Sequence, residues 1–289
     1  MRDYAITTDS SCDFDQALAD SLGVTVVPLS VQIGPRRFRN APGEAMDSHS
    51  FYQLLSQGEL AQTSAPNVEE FKAVWRPILQ SGRDLLYLGF SSGLSGTYHN
   101  AAIAAEDLRE EFPEARIITV DTLCASLGQG MLVDLTVQKK RQGKTLNEAA
   151  AFAEKNRLHL CHWFTVGDLS QLRRGGRLSA GKAIVGNLLN IKPVLHVDDE
   201  GHLVPMASAK GRKKSIEALV SHMEESAVAP EQQRVYISHG DCLADAQLLA
   251  QMVRDRLHVS SVTIGDVGPV IGAHSGAGTL ALFFVGTHR

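Results

Sequence analysis

The sequence is poor in the features that mark a specialised chain. Only four cysteines occur in 289 residues (Cys12, Cys124, Cys161 and Cys242). They lie far apart with no C-x-x-C pair, which argues against a disulfide framework and for a reduced, cytoplasmic protein. No apolar run approaches the roughly 20 residues of a membrane-spanning helix, so no stable membrane insertion is expected. Excess positive charge is missing as well. With 28 Lys and Arg against 32 Asp and Glu the net charge is −4, which excludes nucleic acid or an anionic membrane as the main partner. The opening MRDYAITTDSS carries Arg2 and Asp3 and runs straight into a strand pattern, so no signal peptide is expected. What remains is a globular balance, 44% hydrophobic and 21% charged, at a length suited to two domains or one large one.

Along the chain, strand and helix patterns alternate. DYAITTD reads as a strand and DFDQALADSLG (Asp13 to Gly23) as a helix closed by glycine; VTVVPL reads as one further strand. DSHSFYQLLSQG begins a helix at Asp47 or Ser48, and Asn67-Val68-Glu69-Glu70 resembles a capping box before FKAVWRPIL. LLYLGF and RIITVD are strands, and two helical patterns follow, Ala125 to Lys140 and Thr145 to Arg157. After His159 the rhythm changes: KPVLHV and LVPMAS flank the turn DDEG as a hairpin. RVYISHG and SVTIGDVG are strands, and the apolar tail Gly278 to Gly286 is expected to be buried. Lys213, His222 and Ser226 fall in a helical pattern whose surface is expected to face solvent. The fold class is therefore α/β, with two α/β domains: residues 1–157, mainly parallel sheet, and 158–289, mixed sheet.

Parallel sheets bind ligands at the carboxyl ends of their strands. Three hydroxyl-rich loops stand there: TTDSSC, SSGLSGT and VDTLCAS. SSGLSGT admits two readings. Its serines and glycines can simply make a turn and cap a helix, or they can seat an anion against free backbone N–H groups.

Sharper motifs fail on inspection. Gly93-Leu94-Ser95-Gly96-Thr97 lacks the second glycine of a G-x-S-x-G nucleophile elbow. Gly176 to Ala183 spells G-x-x-x-x-G-K, yet Ala183 stands where a Mg²⁺-binding hydroxyl is needed. His159, Cys161 and His162 do not share one strand face, so no metal site is expected, and no cofactor is implied.

The residues do carry a family resemblance. ITTDSS, Thr63-Ser64-Ala65-Pro66, SSGLSGTY, DTLCASLG, LRRGGRLS, LLNIKPVLHVDDEG, GRKK and GPVIGAHSGAG occur in order over nearly the whole chain. In them the sequence resembles the DegV family, and is similar to the fatty-acid-binding subunit of bacterial fatty acid kinase. Cys12 and Cys124 depart from the family pattern without touching the proposed anchors. The resemblance implies a DegV-like fold, a long-chain fatty acid as ligand, and a separate fatty acid kinase subunit that makes the acyl phosphate. It implies a lipid-binding carrier without catalysis of its own. The alternative is an enzyme, a phosphotransferase or hydrolase, acting on a small anionic substrate.

By the same resemblance Thr63, Ser95 and His274 surround the carboxylate, with Ser92 and Gly96 in the same loop and Ser64 beside Thr63. Arg177 adds charge to that network, unless it merely pairs with Asp168. Asp9 and Ser10 are expected to support the site, and His239 and Asp241 to order a turn. Arg212, in the run Arg212-Lys213-Lys214, is expected to meet the partner, against the plainer reading of a solvated helix start. Physical chemistry suits the assignment. Burying about 15 methylenes at ~0.8 kcal/mol each gives roughly 12 kcal/mol gross, which leaves the head group to set orientation.

Overall fold

In a computed structural model of the chain, residues 2–44, 46–167, 169–178 and 190–289 are described. Their elements are β1 (Tyr4–Asp9), α1 (Gln16–Leu22), β2 (Thr25–Val27), β3 (Ser30–Ile33), β4 (Arg36–Arg39), α2 (Ser48–Ser56), β5 (Ala61–Ser64), α3 (Val68–Gln80) and β6 (Asp84–Gly89). Then come α4 (Thr97–Glu111), β7 (Ile117–Asp121), α5 (Ser126–Arg141), α6 (Leu146–Asn156), β8 (Leu160–Thr165), α7 (Ser170–Arg174), β9 (Ile191–Val197) and β10 (Leu203–Lys210). The chain closes with α8 (Arg212–Ser226), β11 (Arg234–His239), α9 (Leu243–Leu257), β12 (Ser261–Asp266), α10 (Pro269–Ser275) and β13 (Leu280–Val285).

YAITTD and DLLYLG are buried at every position, without the alternation of a half-exposed strand, because both faces of a parallel sheet are covered. They are the inner strands of a parallel sheet of order β2-β1-β6-β7. A mixed sheet runs β10-β9-β8-β13-β11-β12, parallel only between β11 and β12. The apolar tail LALFFV is β13, an interior strand of that sheet, which explains its burial. The fold is thus α/β with one parallel and one mixed sheet.

Helix α5 packs against β1 and β6 of the parallel sheet and against β8, β11 and β13 of the mixed one. A helix with sheet on two sides is apolar or small nearly all round, and its buried residues run from Ser126 to Val137 with few gaps. Gly130 lets Phe14 approach: a Cβ there would stand 2.5 Å from Phe14 Cε1.

Several local signals are realised. Asn67 and Glu70 form a reciprocal capping box at α3, and Asp47 caps α2 through Ser50 N–H. Others need correction. The strand expected in VTVVPL is realised as β2, Thr25–Val27, and stops short at Pro28, which has no N–H to give; a separate strand, β3, starts at Ser30. With β4 and β5, β3 makes an antiparallel sheet of order β4-β3-β5 that the sequence pattern does not announce. The helix expected from Asp13 begins at Gln16, capped by Asp15. Asp13 itself is left-handed, with φ of 54°. On α8, His222 and Ser226 are not free surface: the His222 ring stacks on Trp163 at 3.5 Å between centroids, and Ser226 Oγ donates to His222 O. Lys213 is exposed.

Candidate functional site

The loop after β6 is docked on the β9–β10 turn. Ser91 Oγ donates to Gly201 O at 2.8 Å, and a Cβ on Gly93 would fall 2.8 Å from Glu200 O. Gly93 is therefore required by a close backbone approach. Asp9, fully buried at the end of β1, fixes the loop's entry by accepting from Tyr87 Oη (2.7 Å) and Phe90 N (2.9 Å). Burial raises its pKa despite these donors. Asp9 thus holds Phe90 in place without lining the site.

Ser95 Oγ lies 2.9 Å from Thr97 Oγ1 and accepts from Thr97 N, at the start of α4. It braces a helix start and also faces a cavity. Thr63 sits on β5 opposite Val31 of β3; strand alternation turns Thr63 inward and leaves Ser64 exposed. Its Oγ1 is 2.8 Å from His274 Nε2, near the end of α10. Gly175 makes room for that ring, since a Cβ there would stand 2.6 Å from His274 Nδ1.

Burial, with the Arg177 guanidinium second, pushes the His274 pKa down to about 4, so its imidazole is neutral at pH 7. Arg177 is held by carbonyls, Nε donating to Leu94 O at 3.1 Å and Nη1 to Gly175 O at 2.5 Å. Among the described residues no carboxylate lies within ion-pair distance of it; Asp168, the alternative partner, is outside them. A positive charge, a neutral imidazole and two hydroxyls on one wall are the donor set an anionic head group needs.

Thr63, Ser95, Gly96, Arg177 and His274 line one cavity of about 210 Å³. The rest of its wall is mostly apolar, with Leu29, Phe90, Leu94, Phe164, Ile271 and Phe283 among the lining side chains. Ser64 and Ser92 are not brought into it: both are exposed, and Ser92 N–H donates to Asp121 Oδ1 at 3.2 Å. Arg212 lies elsewhere, its Nε donating to Asp245 Oδ2 at 2.8 Å. That carboxylate offsets the unfavourable placement of a cation at a helix N-terminus.

Sequence reasoning singled out the VDTLCAS loop that ends at Ser126 without naming that residue, and it missed His162 and Ser238; all three line the cavity. His162 was weighed only as an unfit metal ligand. In β8 the alternation sends Cys161 and Trp163 to one core cluster and Leu160 and Phe164 to another. That alternation was readable in the sequence; which face holds a cavity was not. His162 Nδ1 donates to Leu160 O and Nε2 accepts from Ala125 N, and burial drives its pKa well down. His159 precedes the strand, in a 3-10 turn. Among the described residues no group of three His, Cys, Asp or Glu side chains is placed to hold a metal, and no helix is long and apolar enough to cross a membrane.

Comparison with known proteins fits this geometry. A family model described as an uncharacterised protein of the DegV family matches residues 3–287. The chain belongs to the DegV family. A DegV domain-containing protein of Clostridium perfringens is 41% identical over 286 residues, covering 99% of this chain and 98% of its own. Among solved structures, a DegV family protein from Thermus thermophilus, described as binding fatty acid, shares 33% identity with a TM-score of 0.87, covering 98% of this chain and 99% of its own. A DegV lipid-binding protein from Thermotoga maritima shares 28% identity at a TM-score of 0.88, covering 99% of both chains.

Proposed function

We propose that this DegV family protein binds a long-chain fatty acid and presents its carboxylate to a separate fatty acid kinase subunit, which makes the acyl phosphate. The observation that carries the reading is the contrast within one cavity: Thr63, Ser95, Arg177 and His274 gather on a wall whose surroundings are apolar. Relatives of the same fold described as fatty-acid-binding support it. Thr63, Ser95 and His274 hold the carboxylate, Arg177 neutralises it, and Gly96 leaves room beside Ser95. Ser64 and Ser92 act from outside the cavity, as supports of the strand and loop that carry Thr63 and Ser95. The protein works in the cytoplasm as a carrier in two α/β units divided near Arg157, and has no turnover of its own.

Head-group anchoring is tested by the off-rate of a fluorescent fatty acid. A hydrogen bond to a charged group contributes about 1.5–3 kcal/mol, so Thr63→Val, Ser95→Ala and His274→Ala should each release ligand roughly ten- to a hundredfold faster. Lys213→Ala, on the exposed start of α8, is the control. Equal off-rates for anchor and control variants would place the carboxylate elsewhere. Arg212 is the proposed partner contact, with Asp245 steadying its guanidinium. Arg212→Ala should leave bound lipid unchanged and weaken phosphoryl transfer by an added kinase subunit; loss of lipid from this variant would assign Arg212 to the pocket instead.

A further inference from the structure

The cavity shares a wall with a second hollow, a more open cleft of about 1000 Å³. At three places consecutive residues part to opposite sides of that wall. Ser126, Ser238 and Val267 border the cavity, while Leu127, His239 and Gly268 border the cleft.

A chain of hydrogen bonds crosses between the two. Ser238 Oγ lies 3.0 Å from Ser126 Oγ, which donates to Asp13 Oδ2 at 2.5 Å, and Asp13 Oδ1 accepts from Gly268 N at 3.0 Å. The serines belong to the cavity, and Asp13 and Gly268 to the cleft. The bridge thus joins α5 and β11 to the turn before α1 and to the start of α10. A tie between remote segments explains why such a bridge exists, and any place in a solid core would serve it; this one has a hollow on either side. The head-group wall stands at the other end of α10. Gly268 is the N-cap of that helix, and His274 follows about 9 Å along the axis. A carboxylate held at His274 leaves its tail to run toward the bridge.

We infer that the Asp13–Ser126–Ser238 bridge is the floor of the cavity and sets the longest acyl chain it accepts, and that a tail freed of the bridge passes into the cleft. The inference rests on the fatty-acid reading and deepens it. Phe14 and Leu127, next in sequence to Asp13 and Ser126, line the cleft and give it an apolar wall where the tail would emerge. Each methylene that finds room in an apolar wall strengthens binding about fourfold. One halted by the bridge must buckle the chain or part the hydrogen bonds. Asp13 and Ser126 both have a left-handed backbone, with φ of 54° and 53°. Glycine fits either position without strain, so a glycine substitution removes the side chain alone.

In the test, wild type, Asp13→Gly and Ser126→Gly are each exchanged against the same equimolar mixture of even-numbered saturated acids, from dodecanoic to tetracosanoic. The bound acids are then extracted and quantified by mass spectrometry. Wild type should show a break, beyond which occupancy falls about tenfold or more from one acid to the next. In both variants the break should move to a longer acid. A general weakening of the fold lowers all acids alike and leaves the break in place. If Asp13→Gly does not fold, Ser126→Gly decides alone. Variants that keep the wild-type break, or a wild type with no break up to tetracosanoic acid, would overturn the inference. Uptake of no acid at all by wild type would instead strike the fatty-acid reading itself.

Discussion

Gly128→Ala should lose most of its long-chain fatty acid affinity and unfold at a lower temperature than wild type. Gly128 lies on buried α5, and a Cβ there would collide with the His162 imidazole and stand 2.7 Å from Phe283 Cδ1. Both side chains line the cavity, and neither can retreat into the sheet that carries it. The methyl must therefore push them into the space meant for the tail. Overpacking of a core costs about 1–3 kcal/mol in stability. The loss of affinity should be larger for long chains than for short ones, since the methyl takes room from the tail and leaves Thr63, Ser95 and His274 untouched. An octanoic-to-octadecanoic acid titration series, with thermal unfolding alongside, separates the two effects. Equal losses across the series would mean that Gly128 matters only for folding.

Asp13→Asn should flatten part of the alkaline side of the pH dependence of stability. In the fold the Asp13 carboxyl titrates at about 8, against an ordinary 3.8. Because the folded value is raised, its contribution is fully present below about 3.8 and is lost as pH rises through about 8. A gap of about four units at ~1.4 kcal/mol each sets an upper scale of roughly 6 kcal/mol. Asparagine keeps the shape and cannot ionise, and its amide can still serve Ser126 and Gly268. The variant should thus lose less of its melting temperature than wild type between pH 5 and pH 9. Asp9 is also raised by burial and would retain part of the alkaline slope. On the acid side the sign reverses. His274 is depressed to about 4, so its contribution is lost as pH falls from about 6.5 through 4, in wild type and Asp13→Asn alike. Parallel melting curves for the two proteins across pH 5 to 9 would refute a buried, protonated Asp13.

What was legible in the sequence was local. The SSGLSGT loop could be placed at the end of a parallel strand because LLYLG has an unbroken apolar run, and the Asn67 capping box and the β9–β10 hairpin are written within a few residues. The sheet of β3, β4 and β5 was not legible. Each of its strands is four residues long, β4 and β5 are largely exposed, and only their pairing with one another reveals them. That pairing is what turns Thr63 inward and Ser64 outward, so the two residues could not be told apart beforehand. Asp13 read as the first residue of a helix because its partners, Ser126 and Gly268, are remote in the chain. Phe283 and Leu29 carry an ordinary core signal, and nothing in a sequence separates a side chain that fills a core from one that borders a cavity. Arg177 was expected to add charge to the head-group network, with a pair to Asp168 as the alternative; its carbonyl partners at Leu94 and Gly175 were not readable from the sequence.

The measurement closest to the central claim is native mass spectrometry of freshly purified protein, followed by denaturing extraction of whatever it carries. A cavity that encloses the tail and anchors the head should retain its ligand through purification, as one fatty acid per chain that is recovered on denaturing extraction. Recovery of phospholipid alone, or of no lipid, from several independent preparations would contradict the account.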